Sequence, residues 1–171
     1  ALLPGSIAPT SPGLDPCLQQ EVAPSLASLP LDWHTIDIPV ATREKARMAH
    51  RLVQAAELIG VAQAALDLAS TYAKERVQFG KAIGSYQSIK HQLANAWMGV
   101  DNARLSAWYA AAALDGALPD ARFACAVAEF TAIEGALQST RTTVQVHGGM
   151  GFTWEHDAHL YLKRAQHLAA R

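Results

Sequence analysis

From residue 42 onward the apolar positions recur every three to four residues, the repeat of a helix that buries one face. Leu52, Ala56, Ile59, Ala62 or Gln63, Leu66 and Ala69 make the first stripe. It predicts a helix that Thr42 caps, with Glu44 near its positive end, running to about Phe79 before Gly80 stops it. Ser85 is placed to cap a second helix with Ile89, Leu93, Trp97, Val100, Ala103 and Ala107 inward. That helix closes near Asp115-Gly116, where glycine suits a left-handed C-terminal position. A third helix from Asp120 turns Val127, Phe130, Ile133, Leu137, Thr140 and Val144 inward until Gly148-Gly149 breaks it. A shorter fourth runs from about Glu155 to Ala170. Four helices joined by short turns predict an all-α, antiparallel four-helix bundle over residues 42–171.

Residues 1–41 differ in kind. Seven of the eight prolines fall among the first 40 residues, with four acids (Asp15, Glu21, Asp32, Asp37) and no Lys or Arg before Arg43. This predicts an irregular, proline-rich segment. Within it the alternation of Trp33, Thr35, Ile36 and Ile38 allows one short strand between Leu31 and Val40.

Composition narrows the function classes. Half of the 171 residues are hydrophobic and the net charge is −1, which offers no electrostatic footprint for nucleic acid or an anionic membrane. Charged and amide residues interrupt the apolar runs, and no basic region precedes an apolar core at the start, so neither a membrane span nor a leader is expected. Cys17 and Cys125 are far apart and lack CxxC spacing, so neither a disulfide framework nor zinc is expected, and a reducing cytoplasm is the simpler setting. Bundles also host di-iron sites, but no Glu here has a His three residues later. The Glu155, His156 and His159 spacings miss HExxH, so no metal is expected.

Two polar clusters remain. Arg76 and Gln78, beside the Phe79-Gly80 turn at a helix end, present a guanidinium fork and an amide suited to a pyrophosphate. Gln145 and the Gly148-Gly149-Met150-Gly151 turn let backbone N–H groups approach a phosphate or ribose. A solvated arginine and a glycine-rich helix terminator account for each cluster alone; the pairing favours a cofactor.

Taken in order, Tyr72-Ala-Lys-Glu-Arg-Val-Gln-Phe-Gly-Lys81, Ser85-Tyr-Gln-Ser-Ile-Lys-His91 and Gln145-Val-His-Gly-Gly-Met-Gly-Phe-Thr-Trp-Glu155 resemble the C-terminal helical domain of acyl-CoA dehydrogenases. The resemblance covers about Thr42 to Arg164, and the Gly-Phe-Thr-Trp-Glu-His-Asp run is similar to steroid-degrading and other actinobacterial branches. It implies that Arg76, Gln78, Phe79, Gln87, Gln145, Gly148, Gly149 and Gly151 meet the pyrophosphate and adenosine half of FAD held mainly by a neighbouring subunit. It further implies α,β-dehydrogenation of an acyl-CoA thioester by a catalytic carboxylate and the flavin.

Neither family position for that carboxylate holds Glu. The position in the first long helix is His50, followed by Arg51, and the other lies after the last helix, at or beyond Arg171. A histidine can act as a base near neutral pH or serve only as a surface or interface residue, and Arg51 suits either a supporting role or a structural ion pair. Glu57 stands about 10 Å further along the helix, too far to take over. The family's N-terminal helical and middle β-domains do not fall within these 171 residues, where residues 1–41 suit a remnant of the latter; a fragment or processed product of a longer chain and a subunit reduced to the bundle are both compatible with this. The expectation is a chain that completes an FAD site in a homo- or hetero-oligomer with a related dehydrogenase subunit, the partner carrying the Glu. The alternative is a non-catalytic assembly subunit that has lost flavin.

Overall fold

A computed structural model describes residues 10–12, 19–21 and 38–170. Two three-residue strands, β1 (Thr10–Pro12) and β2 (Gln19–Glu21), pair antiparallel with Ser11 opposite Gln20. The strand anticipated over Leu31–Val40 lies outside the described residues except at its end, where Ile38 and Pro39 are unpaired and Val40 is already helical.

Four helices form the body, as the periodicity predicts: α1 (Val40–Glu75), α2 (Gln87–Asp115), α3 (Ala121–His147) and α4 (Ala158–Ala169). Helix α3 lies between α1 and α2, and α4 closes one side against α3 and α1. On length and composition alone α1 satisfies the criterion for a membrane span, which its interrupted apolar runs had argued against; here it buries one stripe in the bundle.

The helix ends depart from expectation in instructive ways. Pro39 rather than Thr42 occupies the N-cap of α1, and its carbonyl accepts the Arg43 N–H at 3.1 Å. Helix α1 stops at Glu75 because residues 77–82 form a hairpin: β3 (Val77–Gln78) pairs with β4 (Lys81–Ala82) across Phe79-Gly80. Both turn residues have positive φ, 52° and 79°, the conformation of a two-residue turn whose twist matches its strands. A 3₁₀ turn (Ile83–Ser85) follows, in which the Ser85 hydroxyl donates to the Ala82 carbonyl at 2.7 Å, leaving Tyr86 at the N-cap of α2. At the other end of α2, Gly116 is right-handed (φ −77°) and Ala117 takes the left-handed position (φ 49°). Helix α4 begins at Ala158, not Glu155, where the His156 Nδ1 accepts the Ala158 N–H at 3.1 Å.

The core is built from small residues. Ala55, Ala62, Ala96, Ala103, Ala110, Ala128, Ala132 and Ala136 are buried around Leu58, Val100 and Leu168. Of the inward faces anticipated, Ala56, Trp97 and Phe130 are instead exposed, and Ala55, Ala96, Ala128 and Ala132 take their places. The reason is close helix approach. The Ser139 hydroxyl on α3 donates to the Ala62 carbonyl on α1 at 2.7 Å, and Thr143 to Ala65 at 2.8 Å. Between α2 and α3, a Cβ on Gly135 would lie 2.9 Å from the Gly99 carbonyl oxygen, so no side chain fits the crossing.

Candidate functional site

The hairpin, the start of α2 and the end of α3 meet at one end of the bundle around an open hollow of about 490 Å³. Its walls include Tyr72, Arg76, Gln78 and Phe79 from the α1 end and hairpin, Ile83, Tyr86 and Ile89 from the next turn and α2, and Val146, His147 and Gly148 from α3. The hairpin is anchored by the Arg76 carbonyl, which accepts from the Ile83 N–H at 2.8 Å, and by Tyr86, whose hydroxyl donates to the Gln78 carbonyl at 3.0 Å. Lys81 stands 4.3 Å over the Tyr86 ring.

The hollow therefore joins four of the residues singled out by sequence, Arg76, Gln78, Phe79 and Gly148. Arg76 is exposed and, among the described residues, its guanidinium has no ion-pair partner. The Gln78 amide donates to the Val77 carbonyl at 2.8 Å, so its side chain is folded onto its own strand. Phe79 is 93% exposed at a positive φ that costs a non-glycine residue roughly 1–2 kcal/mol. Gly148 has φ 62° and open space about its Cα.

The other four are not part of this wall. Gln87 opens α2 and is exposed, and Gln145 is exposed two residues before the end of α3. Gly149 faces open space, whereas Gly151 is buried, where a Cβ would meet the Val144 carbonyl oxygen at 2.8 Å. Gly151 thus serves packing. The sequence reading missed Tyr72, Ile83, Ile89 and His147 as wall residues. His147 stood inside the Gln145–Gly151 run, and only the helical phase of α3 turns it toward the hollow.

His147 is 4% exposed, its Nδ1 is 2.7 Å from the Thr143 carbonyl oxygen, and its ring stacks on Tyr72 and meets His156 at a tilt of 47°. Burial holds its pKa below the usual histidine value, opposed by the bond to Thr143 and reinforced by charge on His156.

At the start of α1, His50 is exposed on a second hollow of about 420 Å³ with Arg51, Gln54 and Glu129. Arg51 Nε is 3.2 Å from Glu129 on α3, which fixes its guanidinium. Nearby Cys125 is buried, and burial pushes its thiol pKa up against the opposing charge of Arg51. Cys17 lies outside the described residues. Among those residues no three His, Cys, Asp or Glu side chains come together as a metal site.

An unpaired guanidinium, the free N–H groups at the start of α2, and flat apolar walls suit an anion flanked by an aromatic or sugar group. The hollow is open on one side.

A helical bundle carrying an open, largely apolar pocket at one end is the class that the fold and site define. The sequence profile described as "Acyl-CoA dehydrogenase, C-terminal domain" matches residues 42–170, and the chain belongs to the acyl-CoA dehydrogenase family. It is 43% identical over 114 residues to "Acyl-CoA dehydrogenase IpdE2" of Mycolicibacterium smegmatis, covering 67% of this chain and 35% of that relative. The structure titled "Tcur3481-Tcur3483 steroid ACAD G363A variant" superposes with a TM-score of 0.73 at 32% identity, covering 76% of this chain and 36% of the other. The ChsE4-ChsE5 complex from Mycobacterium tuberculosis gives 0.67 at 32% identity, covering 71% and 33%. The chain spans about a third of the length of these proteins.

Proposed function

We propose that this chain supplies the helical half of an FAD site in an oligomeric acyl-CoA dehydrogenase, with a related subunit supplying the catalytic Glu and the walls around the thioester. The observation that carries this reading is the unpaired Arg76 beside the exposed, positive-φ Phe79 on one pocket rim. A backbone strain of this kind persists where a function uses it.

When bound, FAD would accept the β-hydrogen as hydride while a carboxylate takes the α-proton. The part assigned to this chain is to hold the cofactor's charged and adenosine end. Arg76 offsets pyrophosphate charge, Phe79 covers an apolar face, and the Gly148 turn lets the backbone approach. The base is assigned to the partner because Glu129, the carboxylate that lines the His50 hollow among the described residues, is committed to Arg51. Two kinds of support favour a related subunit as partner: the neighbours titled as a complex or as a two-protein pair, and the large apolar residues exposed here, Trp97, Trp108, Phe123 and Phe130. The acyl group is selected by walls outside this chain.

Arg76→Ala in the assembled complex tests the reading. Loss of a charge-assisted contact should weaken FAD by about 1.5–3 kcal/mol, read by flavin fluorescence titration. Unchanged affinity would remove Arg76 from the site. An assembly subunit without flavin, the rival reading, has no use for an unpaired arginine or a strained aromatic tip, and in that case no flavin is taken up at all.

A further inference from the structure

We infer that His156 is a pH-sensitive cap: its neutral ring closes the turn that leads into α4, and its protonation releases that turn together with one of the two rings packed on His147. The inference concerns this chain's own conformation and stands apart from the flavin reading.

A 3₁₀ turn (Gly148–Phe152) follows α3, and residues 153–157 lead from it to the start of α4. Backbone bonds hold them loosely. The Thr153 N–H donates to the Met150 carbonyl at 3.2 Å and the His156 N–H to the Thr153 carbonyl at 3.3 Å, at or just past the long end of the usual range. Asp157 stands at the N-cap of α4, where a carboxylate ordinarily accepts a backbone N–H, yet its side chain makes no such bond. The half-buried His156 takes over, its Nδ1 accepting the Ala158 N–H at 3.1 Å. Ala158 is fully buried, so water does not reach that N–H while the turn is closed.

A backbone N–H only donates, so Nδ1 is bare and the proton of the neutral ring sits on Nε2. A second proton would set Nδ1–H against the Ala158 N–H, two donors with no acceptor between them. The bond therefore exists only in the neutral form. A buried donor left without an acceptor is costly, and opening the turn to water relieves it. Histidine is the side chain that crosses between these two forms near neutral pH.

The neighbouring groups act on the same equilibrium. His147 on α3 lies 4.2 Å from His156 between ring centroids, and charge on either imidazole opposes charge on the other. Tyr72 on α1 stacks on His147, and Arg76 shares the hollow that His147 lines. Glu155 and Asp157 flank His156 in its own turn, both exposed, while His159 and Lys163 on α4 are engaged by Trp154. When His156 leaves, a wall residue of the first hollow loses one of its two ring contacts, so that wall is less firmly held in acid than at neutral pH.

Hydrogen exchange on the full chain in its native assembly tests this. Between about pH 7.5 and pH 5.5, and after correction for intrinsic rates, the amides of residues 158–161 should lose protection on the order of tenfold, while those in the middle of α3 change little. His156→Asn supplies an acceptor oxygen that does not titrate and should keep this protection at both pH values. Constant protection in the wild type overturns the inference, as does an equal loss in His156→Asn, which would place the sensor elsewhere. Should that variant fail to fold, the ¹⁵N spectrum of the wild-type histidines decides. At neutral pH His156 should carry its proton on Nε2, and a proton on Nδ1 overturns the inference.

Discussion

Where α1 meets α3, the facing positions are Ala62 and Ala65 opposite Ser139 and Thr143, all buried and joined by hydroxyl-to-carbonyl hydrogen bonds. On the outward side of α2 and α3 stand Trp97, Trp108, Phe123 and Phe130, each more than half exposed. Small residues inside and large ones outside reverse the simplest expectation. The difference teaches that burial in this chain follows how closely helices approach, and that the large apolar residues are left for contacts this chain does not make with itself. They fit the proposed assembly.

The interior can be broken most severely at the α2–α3 crossing. Gly135→Val would force a branched side chain against the Gly99 backbone, where even a Cβ sits at 2.9 Å, and should cost about 3 kcal/mol or abolish cooperative unfolding in urea. A normal urea midpoint would show that the crossing is looser than described. On the outer face, Trp108→Gln with Phe130→Gln should change the stability of the isolated chain by no more than about 0.5 kcal/mol. The same pair should weaken the assembly by about 2 kcal/mol or more, read by sedimentation at several concentrations. Equal loss in both measurements would mean that these aromatics serve the fold.

A finer contrast lies between the strained hairpin tip and the rest of the pocket wall. Phe79→Gly relieves a left-handed conformation and should stabilise the chain by about 1 kcal/mol in thermal unfolding, while FAD retention falls. A variant that is both more stable and equally retentive would leave the strain without a function.

The smallest effect concerns pH. Burial depresses the His147 pKa, so the unfolded chain takes up this proton first as pH falls. The stabilising contribution is complete above the unfolded value of about 6.5 and is lost as pH drops from there through the lower folded value. The groups around the imidazole are Tyr72 on α1 and His156 in the turn before α4, with Arg76 on the same pocket wall. The Tm should therefore fall more steeply in wild type than in His147→Phe on going from neutral to mildly acid buffer; parallel curves would locate the dependence elsewhere.

Much of this architecture was legible in the sequence. Glycine pairs and turn spacing marked the breaks between four helices, and the Arg76–Gly80 run pointed to the pocket. The phase of α2 and α3 was legible at Val100, Ala103, Ala107, Thr140 and Val144 but not at Trp97 and Phe130, because a reading by hydrophobicity favours those two over the alanines beside them. Alanine is at home on any helical face, so only the close approach set by Gly99, Gly135 and Ser139 decides which stripe is buried. The hairpin was hidden for a related reason. Its first turn position holds Phe79, where Asn, Asp or Gly would have signalled positive φ. The place of His147 in the pocket wall needed the helical phase of α3, which no spacing rule supplies.

The most direct test of the central claim is the native mass and flavin content of the complex that purifies through this chain, with every subunit identified. The account predicts bound FAD together with a longer dehydrogenase subunit. A colourless assembly of this chain alone that takes up no added FAD would contradict it.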